Sequence, residues 1–314
     1  MTAVKKIASI DIGSNTIRMV VWEKDADGNF HEIHSNRAIV RLGEGMSSGK
    51  RLLDHRIKKA VDVLFEFKQE CAEINDVKIC AVATSAVREA ENKIEFVDKV
   101  KNKTEIEIKV IPWEEEARLT LKGIFWRLPD NDSTTLSFDI GGGSTEFILS
   151  KGSQLIQTFG SKLGVVRLTE KFLTQHPIDF KEYDLLVSFL RGEIEKVYES
   201  FSKPKISRII GTAGTVTTLA AIQNNVIPYD PEKIHGISLK LDQIKEIQET
   251  LKGMNLEERL KLPALERGRE DLIVSGTAIV IQVMEVFEIE DLTICEYGLR
   301  EGTILDSFSN LENP

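Results

Sequence analysis

Apolar and polar positions along the chain fall into two patterns, one with the period of a strand and one with the period of a helix. Val4–Ile10, Ile17–Trp22 and Phe30–Ile39 are short runs rich in β-branched and aromatic residues, separated by small and turn-forming residues. They predict three strands, with "KDADGN" as a hairpin turn. From Arg56 to Glu73 the spacing changes: Ile57, Ala60, Val61, Leu64, Phe65 and Phe67 recur as one face of a helix. Val77–Ala83 reads as a strand, "TSAVREAEN" as a turn into a helix running towards Lys101, Ile106–Ile111 as a strand, and Glu114–Trp126 as a helix opened by Pro112.

After "RLPDNDSTT" (127–135) the same order starts again. Thr135–Phe138, Glu146–Lys151 and Gln154–Phe159 predict strands, Gly164–Leu173 and Lys181–Phe201 helices, and Ile206–Ile210 a strand. "GTAGTVTTLAAI" turns from that strand into a helix. Helices over Leu241–Leu251, Asp271–Phe287 and Gly302–Phe308, with a strand at Leu292–Cys295, complete the expectation.

The recurrence extends to individual residues. "ASIDIGSNTIRMVV" (8–21) aligns without a gap on "LSFDIGGGSTEFIL" (136–149), which puts Asp11 on Asp139, Gly13 on Gly141, Thr16 on Ser144 and Val20 on Ile148. "VATSAVREA" (82–90) lies opposite "GTAGTVTTL" (211–219). The offsets, 128 and 129, are nearly equal, as a duplicated domain requires. A βββαβα order used twice predicts two mixed sheets flanked by helices, and so an α/β fold.

Composition narrows this picture. The 314 residues suffice for one large domain or two ordinary ones, with 41% hydrophobic and 29% charged residues, a globular balance. A net charge of -9 disfavours nucleic acid as a partner but is compatible with an anionic substrate in a locally positive site. Three scattered cysteines, Cys71, Cys80 and Cys295, suit buried thiols better than disulfides or a zinc site. No leader-like or membrane-length apolar segment is visible, so the expectation is a cytoplasmic protein without a membrane partner.

The small-residue turns are the candidate chemistry. Backbone amides in a Gly/Ser-rich turn converge into an anion nest. Missing side chains at Gly141, Gly142 and Gly143 let a phosphate reach the backbone. Thr84–Ser85 and Gly214–Thr215 sit where strands turn into helices, whose first amides also favour anions. One such turn is commonly just a turn. Four turns paired by a duplication form a two-sided phosphate clamp if the two copies face each other. Asp11 and Asp139 end the strands before their turns, where an acid either caps its own turn or holds Mg²⁺ with phosphate oxygens. Glu146 follows the second turn and could reach the same metal. Its counterpart is Arg18, so the metal is expected on the second copy and phosphate grip on the first. The five histidines show no ligand or triad spacing.

Together "IDIGSNTIRMVV", "AVATSAVREAEN", "EEEARL", "DIGGGSTEF", "LGVVRLTEKF", "IIGTAGTVTTLA" and "YGLREG" resemble the exopolyphosphatase/guanosine pentaphosphate phosphatase (Ppx/GppA) family over nearly the whole chain. The resemblance implies the duplicated actin-like ATPase (ribonuclease H-like) fold: two domains, each a mixed five-stranded sheet flanked by helices, with a cleft between them. Domain I would span 1–125, with 303–314 packing back on it, and domain II 126–302. It implies Glu116 as the catalytic glutamate, Asp139 and Glu146 as metal-associated acids, and Gly13, Ser14, Asn15, Thr84, Ser85, Gly141–Ser144, Gly214 and Thr215 as phosphate loops. Arg88 would contact substrate phosphates, and Asn15 and Arg269 would handle substrate. Family members commonly carry Ser-Gly before the glutamates, where this chain has Pro112-Trp113. Ending at "LENP", the chain is expected to be the short two-domain form. The implied reaction is hydrolysis, assisted by Mg²⁺ or another divalent cation, of the terminal phosphoanhydride of polyphosphate, of guanosine pentaphosphate, or of both, with a homodimer left open. A small-molecule kinase of the same superfold and a non-catalytic alarmone- or phosphate-binding regulator are the competing readings. Glu116 in "EEEAR" argues against the kinase, and the acid set Asp139, Glu146 and Glu116 argues against the regulator.

Overall fold

The computed structural model describes residues 6–312; Val4 and Lys5 of the first expected strand, and Asn313 and Pro314 of the expected C-terminal segment, lie outside them. The chain divides into two compact units, Met1–Gly123 with Leu299–Pro314, and Ile124–Gly298.

In the first unit β1 (Lys6–Ile12), β2 (Thr16–Lys24) and β3 (Phe30–Ile39) run antiparallel in sequence order. β1 is buried over consecutive residues, Ile7 to Ile10, because both its faces are covered, whereas β3 at the sheet edge is largely exposed. The β2–β3 turn is held by Asp25, whose Oδ1 accepts from the amides of Asp27 (2.9 Å) and Asn29 (2.8 Å). The short α1 (Met46–Gly49) precedes α2 (Asp54–Ile74), which buries Ile57, Ala60, Val61, Leu64, Phe67 and Cys71 as one stripe. β4 (Val77–Ala83) then lies parallel to β1, and α3 (Ser85–Glu89) and α4 (Lys93–Thr104) lead to β5 (Ile108–Val110) and α5 (Trp113–Arg127). The sheet order is β3-β2-β1-β4-β5.

The second unit repeats this plan with β6 (Thr134–Ile140), β7 (Thr145–Lys151) and β8 (Gln154–Ser161), followed by α6 (Val165–Phe172) and α7 (Phe180–Ser200). β9 (Arg208–Thr212) lies parallel to β6, and α8 (Gly214–Gln223) and α9 (Pro231–Ile234) follow it. β10 (Ser238–Lys240), α10 (Leu241–Gly253), α11 (Leu256–Arg259), α12 (Ile273–Val286) and β11 (Asp291–Ile294) complete the unit. α12 is buried on every side from Ile273 to Met284, which makes it the centre of this unit's core. The last helix, α13 (Leu299–Glu312), belongs to the first unit, where Phe308 packs on Phe30 with ring centroids 5.2 Å apart. Gly302 lets α13 cross α5 closely, since a β-carbon there would lie 1.8 Å from the Leu119 carbonyl oxygen. No described helix is long and apolar enough to cross a membrane.

Two mixed sheets flanked by helices are thus present, and the strand order β8-β7-β6-β9-β11 repeats that of the first sheet. The second sheet has six strands rather than five. β10 pairs antiparallel with β11, and its three residues are too few to carry a periodic signal. The helix expected from Thr84 to Lys101 is broken in two: Ala90 is extended, and the Asn92 side chain turns away to bond the Leu52 amide (2.9 Å) and carbonyl (3.0 Å). The short helices α1, α9 and α11 were likewise not signalled by periodicity.

Candidate active site

In each unit a sharp strand–turn–strand loop follows the central strand, and the two are built alike. The Gly13 amide donates to the Thr16 carbonyl at 3.1 Å, and the Gly141 amide to the Ser144 carbonyl at 2.9 Å. Both turns are braced by the segment after the third strand of their own unit. In the first, the amides of Val40 (2.9 Å) and Arg41 (2.8 Å) bond the Asn15 carbonyl, and that of Gly43 bonds the Ser14 carbonyl at 2.8 Å. In the second, the amides of Val165 (3.1 Å) and Val166 (2.9 Å) bond the carbonyls of Gly141 and Gly142, and Arg167 Nε reaches the Gly143 carbonyl at 3.3 Å. Across a trans peptide the carbonyl and the next amide point in opposite directions. Tying back the carbonyls of residues 141–143 therefore turns the amides of Gly142, Gly143 and Ser144 the other way, as an anion nest requires.

The braces themselves are a repeat that sequence reasoning missed. Leu42-Gly43 follows β3 and Leu163-Gly164 follows β8, both leucines being fully buried. A β-carbon on Gly43 would stand 2.9 Å from Ser14 Cβ, and one on Gly164 2.1 Å from the Gly143 carbonyl carbon. The signal was the shared Leu-Gly of "RLGEGM" and "KLGVVR", obscured because their offset of 121 differs from the 128 of the turns.

The strand-to-helix loops lie beside these turns. Ile12 pairs with Ala83 in register and Asp139 with Thr212, so each Gly/Ser turn and its unit's second loop leave adjacent carboxyl ends of parallel strands. In open α/β sheets that is where ligands bind. The Thr84 amide donates to the Ile12 carbonyl at 3.3 Å. In the second unit Ala213 has φ 72° and ψ 177°, a conformation costly for any residue with a β-carbon. Gly214 beside it is covered by Arg269: a β-carbon there would stand 1.6 Å from Arg269 Nη1 and would displace the guanidinium. The structure therefore brings Arg269 against the Gly214–Thr215 loop, and Arg269 is in turn ion-paired with Glu266 at 2.8 Å.

The two acids before the turns have different surroundings. Asp139 stands directly opposite Glu146 in the β6–β7 pair, so their carboxylates share one face of the sheet. Ser144 Oγ donates to Glu146 Oε1 at 2.7 Å, and Glu146 is buried. In the first unit the same register places Asp11 opposite Arg18. Burial pushes the Asp11 carboxyl up to about 6, against the pull of Arg18 and Arg300 and with a further push from Glu301. Asp11 Oδ1, Ser14 Oγ and Asn15 Oδ1 are buried without a hydrogen-bond partner among the described residues, an exception to the usual satisfaction of buried polar atoms that a ligand would explain.

No group of three or more His, Cys, Asp or Glu side chains arranged for a metal occurs among the described residues. Two carboxylates with the remaining positions left to phosphate oxygens and water is nevertheless a donor set that suits Mg²⁺. Asp139 and Glu146 fit it better than Asp11, whose cross-strand neighbour is already a cation.

Glu116 lies in the first turn of α5 and is buried. Arg88 Nη1, from α3, donates to Glu116 Oε2 at 2.6 Å and to the Ile111 carbonyl at 3.1 Å. The Arg88 guanidinium carbon lies 3.9 Å from the centroid of the Trp113 ring. Glu114 is exposed, and Glu115 pairs with Arg118 (2.8 Å) and Lys109 (3.5 Å), which holds its carboxyl below the usual range. Of three consecutive glutamates, Glu116 is thus the one turned inward.

The sequence profile of the Ppx/GppA phosphatase family matches residues 20–311. The chain belongs to the Ppx/GppA phosphatase family. Among its relatives, "Exopolyphosphatase 2" of Mycobacterium tuberculosis is 28% identical, the match covering 96% of this chain and 98% of that protein. The "Guanosine-5'-triphosphate,3'-diphosphate pyrophosphatase" of Photobacterium profundum is 27% identical over 98% of this chain and 60% of its own length. A "Bifunctional 3-dehydroquinate synthase/phosphatase" of Fusobacterium nucleatum is 31% identical; the match takes in 96% of this chain and spans about half of that protein, 46%. The crystal structure of the Aquifex aeolicus Ppx/GppA family member superposes with a TM-score of 0.82 at 36% identity, covering 98% of this chain and 99% of that one.

Proposed function

We propose that this Ppx/GppA family chain hydrolyses a terminal phosphoanhydride, of inorganic polyphosphate or of guanosine pentaphosphate, by in-line attack of water. The observation that carries the reading is the Gly141–Ser144 turn, with three carbonyls tied back by residues 165–167, beside the opposed carboxylates of Asp139 and Glu146. Membership of a family whose relatives bear the names exopolyphosphatase and guanosine-5'-triphosphate,3'-diphosphate pyrophosphatase supports it.

Phosphoryl transfer asks a protein for positioning and charge stabilisation more than for covalent chemistry. The amides of the Gly/Ser turns and the Arg269 guanidinium are suited to hold phosphate oxygens. Mg²⁺, held by Asp139 and Glu146, would neutralise charge developing on the leaving phosphate. Glu116, oriented through Oε2 by Arg88, accepts a proton from the attacking water as the new P–O bond forms and the bridging P–O bond breaks. The leaving chain departs as a phosphate one unit shorter.

Phosphate release from both substrates, with and without Mg²⁺ and beside an ATP-to-acceptor control, tests the reading. The two substrate arms decide between polymer and nucleotide. A general base contributes about 10²–10⁴-fold, so Glu116→Gln should lower turnover by that factor and leave substrate binding near wild type. Phosphoryl transfer to an acceptor, absence of phosphate release, or full turnover by Glu116→Gln would refute it.

A further inference from the structure

Arg88 is held from two sides. Its Nη1 faces Glu116 Oε2 at 2.6 Å, and its guanidinium carbon lies over the Trp113 ring, 3.9 Å from the ring centroid. Trp113 and Glu116 are three residues apart at the start of α5, a spacing that puts both on one side of the helix, where a single guanidinium from α3 can meet both. Little water reaches the pair: the Arg88 side chain is 12% exposed and that of Glu116 8%. A guanidinium is weakly hydrated and planar, so it stacks on an aromatic face while its edge serves a carboxylate. Such stacking is worth about 0.5–2 kcal/mol, more where water is excluded. Arg88 Nη1 also bonds the Ile111 carbonyl, which anchors the guanidinium to the chain just before α5. Fixing Oε2 on an immobilised guanidinium fixes the plane of the Glu116 carboxylate, and hence the position of Oε1.

We propose that Trp113 is a positioning residue: its indole face holds Arg88 in the orientation that aims the Glu116 carboxylate, so its loss lowers turnover rather than substrate binding. The inference rests on the reading of Glu116 as the group that takes the water proton. It concerns the aromatic face itself and not merely apolar bulk, which makes phenylalanine and leucine the informative replacements.

The test measures kcat and KM for phosphate release by Trp113→Leu and Trp113→Phe, each in the wild-type and Arg88→Lys backgrounds. Melting temperatures confirm that every variant is folded. Trp113→Leu should lower kcat about tenfold with KM within about twofold, because a stack of this size converts to roughly 2–30-fold in rate. Trp113→Phe should stay within about threefold of wild type. In the Arg88→Lys background, Trp113→Leu should cost less than about twofold, since there is no guanidinium left to hold. Equal losses for Leu and Phe, a loss confined to KM, or an undiminished effect in Arg88→Lys would overturn the proposal.

A second measurement needs no activity. The δ-methylene protons of Arg88, assigned by comparison with Arg88→Lys, should be shifted upfield by the indole ring current in the wild type, less so in Trp113→Phe, and not in Trp113→Leu. An unshifted wild-type signal refutes the stack whatever the enzyme does. A shifted signal in a chain that releases no phosphate from either substrate overturns the proposed function, and the role of Trp113 in turnover with it.

Discussion

Gly164 is where a single added methyl group should be felt most. A β-carbon there would lie 2.1 Å from the Gly143 carbonyl carbon, 2.3 Å from Gly143 Cα and 2.4 Å from the Gly142 carbonyl oxygen. All three atoms are backbone, so no side chain can swing aside. Ordinary contact begins near 3.4 Å, and the turn must retreat by about 1 Å. The retreat stretches the bonds from the Val165 and Val166 amides to the Gly141 and Gly142 carbonyls, now 3.1 and 2.9 Å. Overpacking of this kind costs about 1–3 kcal/mol. At roughly 2–4 °C per kcal/mol for a domain of this size, Gly164→Ala should melt roughly 3–10 °C lower. A reactive constellation displaced by about 1 Å loses about 10²-fold in rate, and phosphate release should fall accordingly. Gly192→Ala is the matched control. Gly192 lies inside α7 with nothing within 4 Å of its would-be β-carbon, and removing a helix glycine should stabilise by about 0.5–1 kcal/mol. Differential scanning calorimetry and a phosphate-release assay on the two variants suffice. A Gly164→Ala protein with wild-type melting temperature and turnover would refute the account of the turn and its brace.

Ala213→Gly should raise the melting temperature by a few degrees, because it relieves a residue at φ 72° of strain on the order of 1 kcal/mol; a lower melting temperature counts against that. Asp139→Asn should raise the Mg²⁺ concentration needed for half-maximal phosphate release by tenfold or more, roughly the loss of one charged ligand, and an unchanged Mg²⁺ titration argues against the metal assignment. Asp11 gives a pH dependence of defined sign. Its carboxyl is raised from 3.8 to about 6 in the folded protein, so the folded state binds a proton more tightly than the unfolded one and stability falls as pH rises from about 4 to 6. Asp11→Asn removes that fall; its stability relative to wild type should improve by roughly 1–3 kcal/mol between pH 4 and pH 7 in chemical denaturation, and a constant difference across that range refutes the assignment.

Much of this protein was legible from local pattern. Strand and helix periods placed most elements. The gapless alignment of residues 8–21 on 136–149 exposed the duplication, and turn chemistry marked Gly13–Asn15, Thr84–Ser85, Gly141–Ser144 and Gly214–Thr215 as loops at strand ends. These features are local: a turn needs its own glycines, and an amphipathic segment needs only its own spacing. The resemblance to the family singled out Glu116 among three neighbouring glutamates, a choice helix propensity cannot make.

The rest depends on which distant segments meet. Arg88 and Glu116 are 28 residues apart, and Arg269 reaches Gly214 from beyond four helices and a strand of the chain. Gly43 and Gly164 read as ordinary loop glycines until the backbone they press against is known. The opposed pair Asp139/Glu146 and its counterpart Asp11/Arg18 follow from strand register, which a one-residue slip would undo. By itself, then, the sequence determined the duplicated architecture and the placement of four small-residue turns at strand ends. Only the tertiary structure decided which carbonyls are tied back, which guanidinium holds which carboxylate, and that Trp113 covers it, because those contacts are made by packing between segments that no local pattern links.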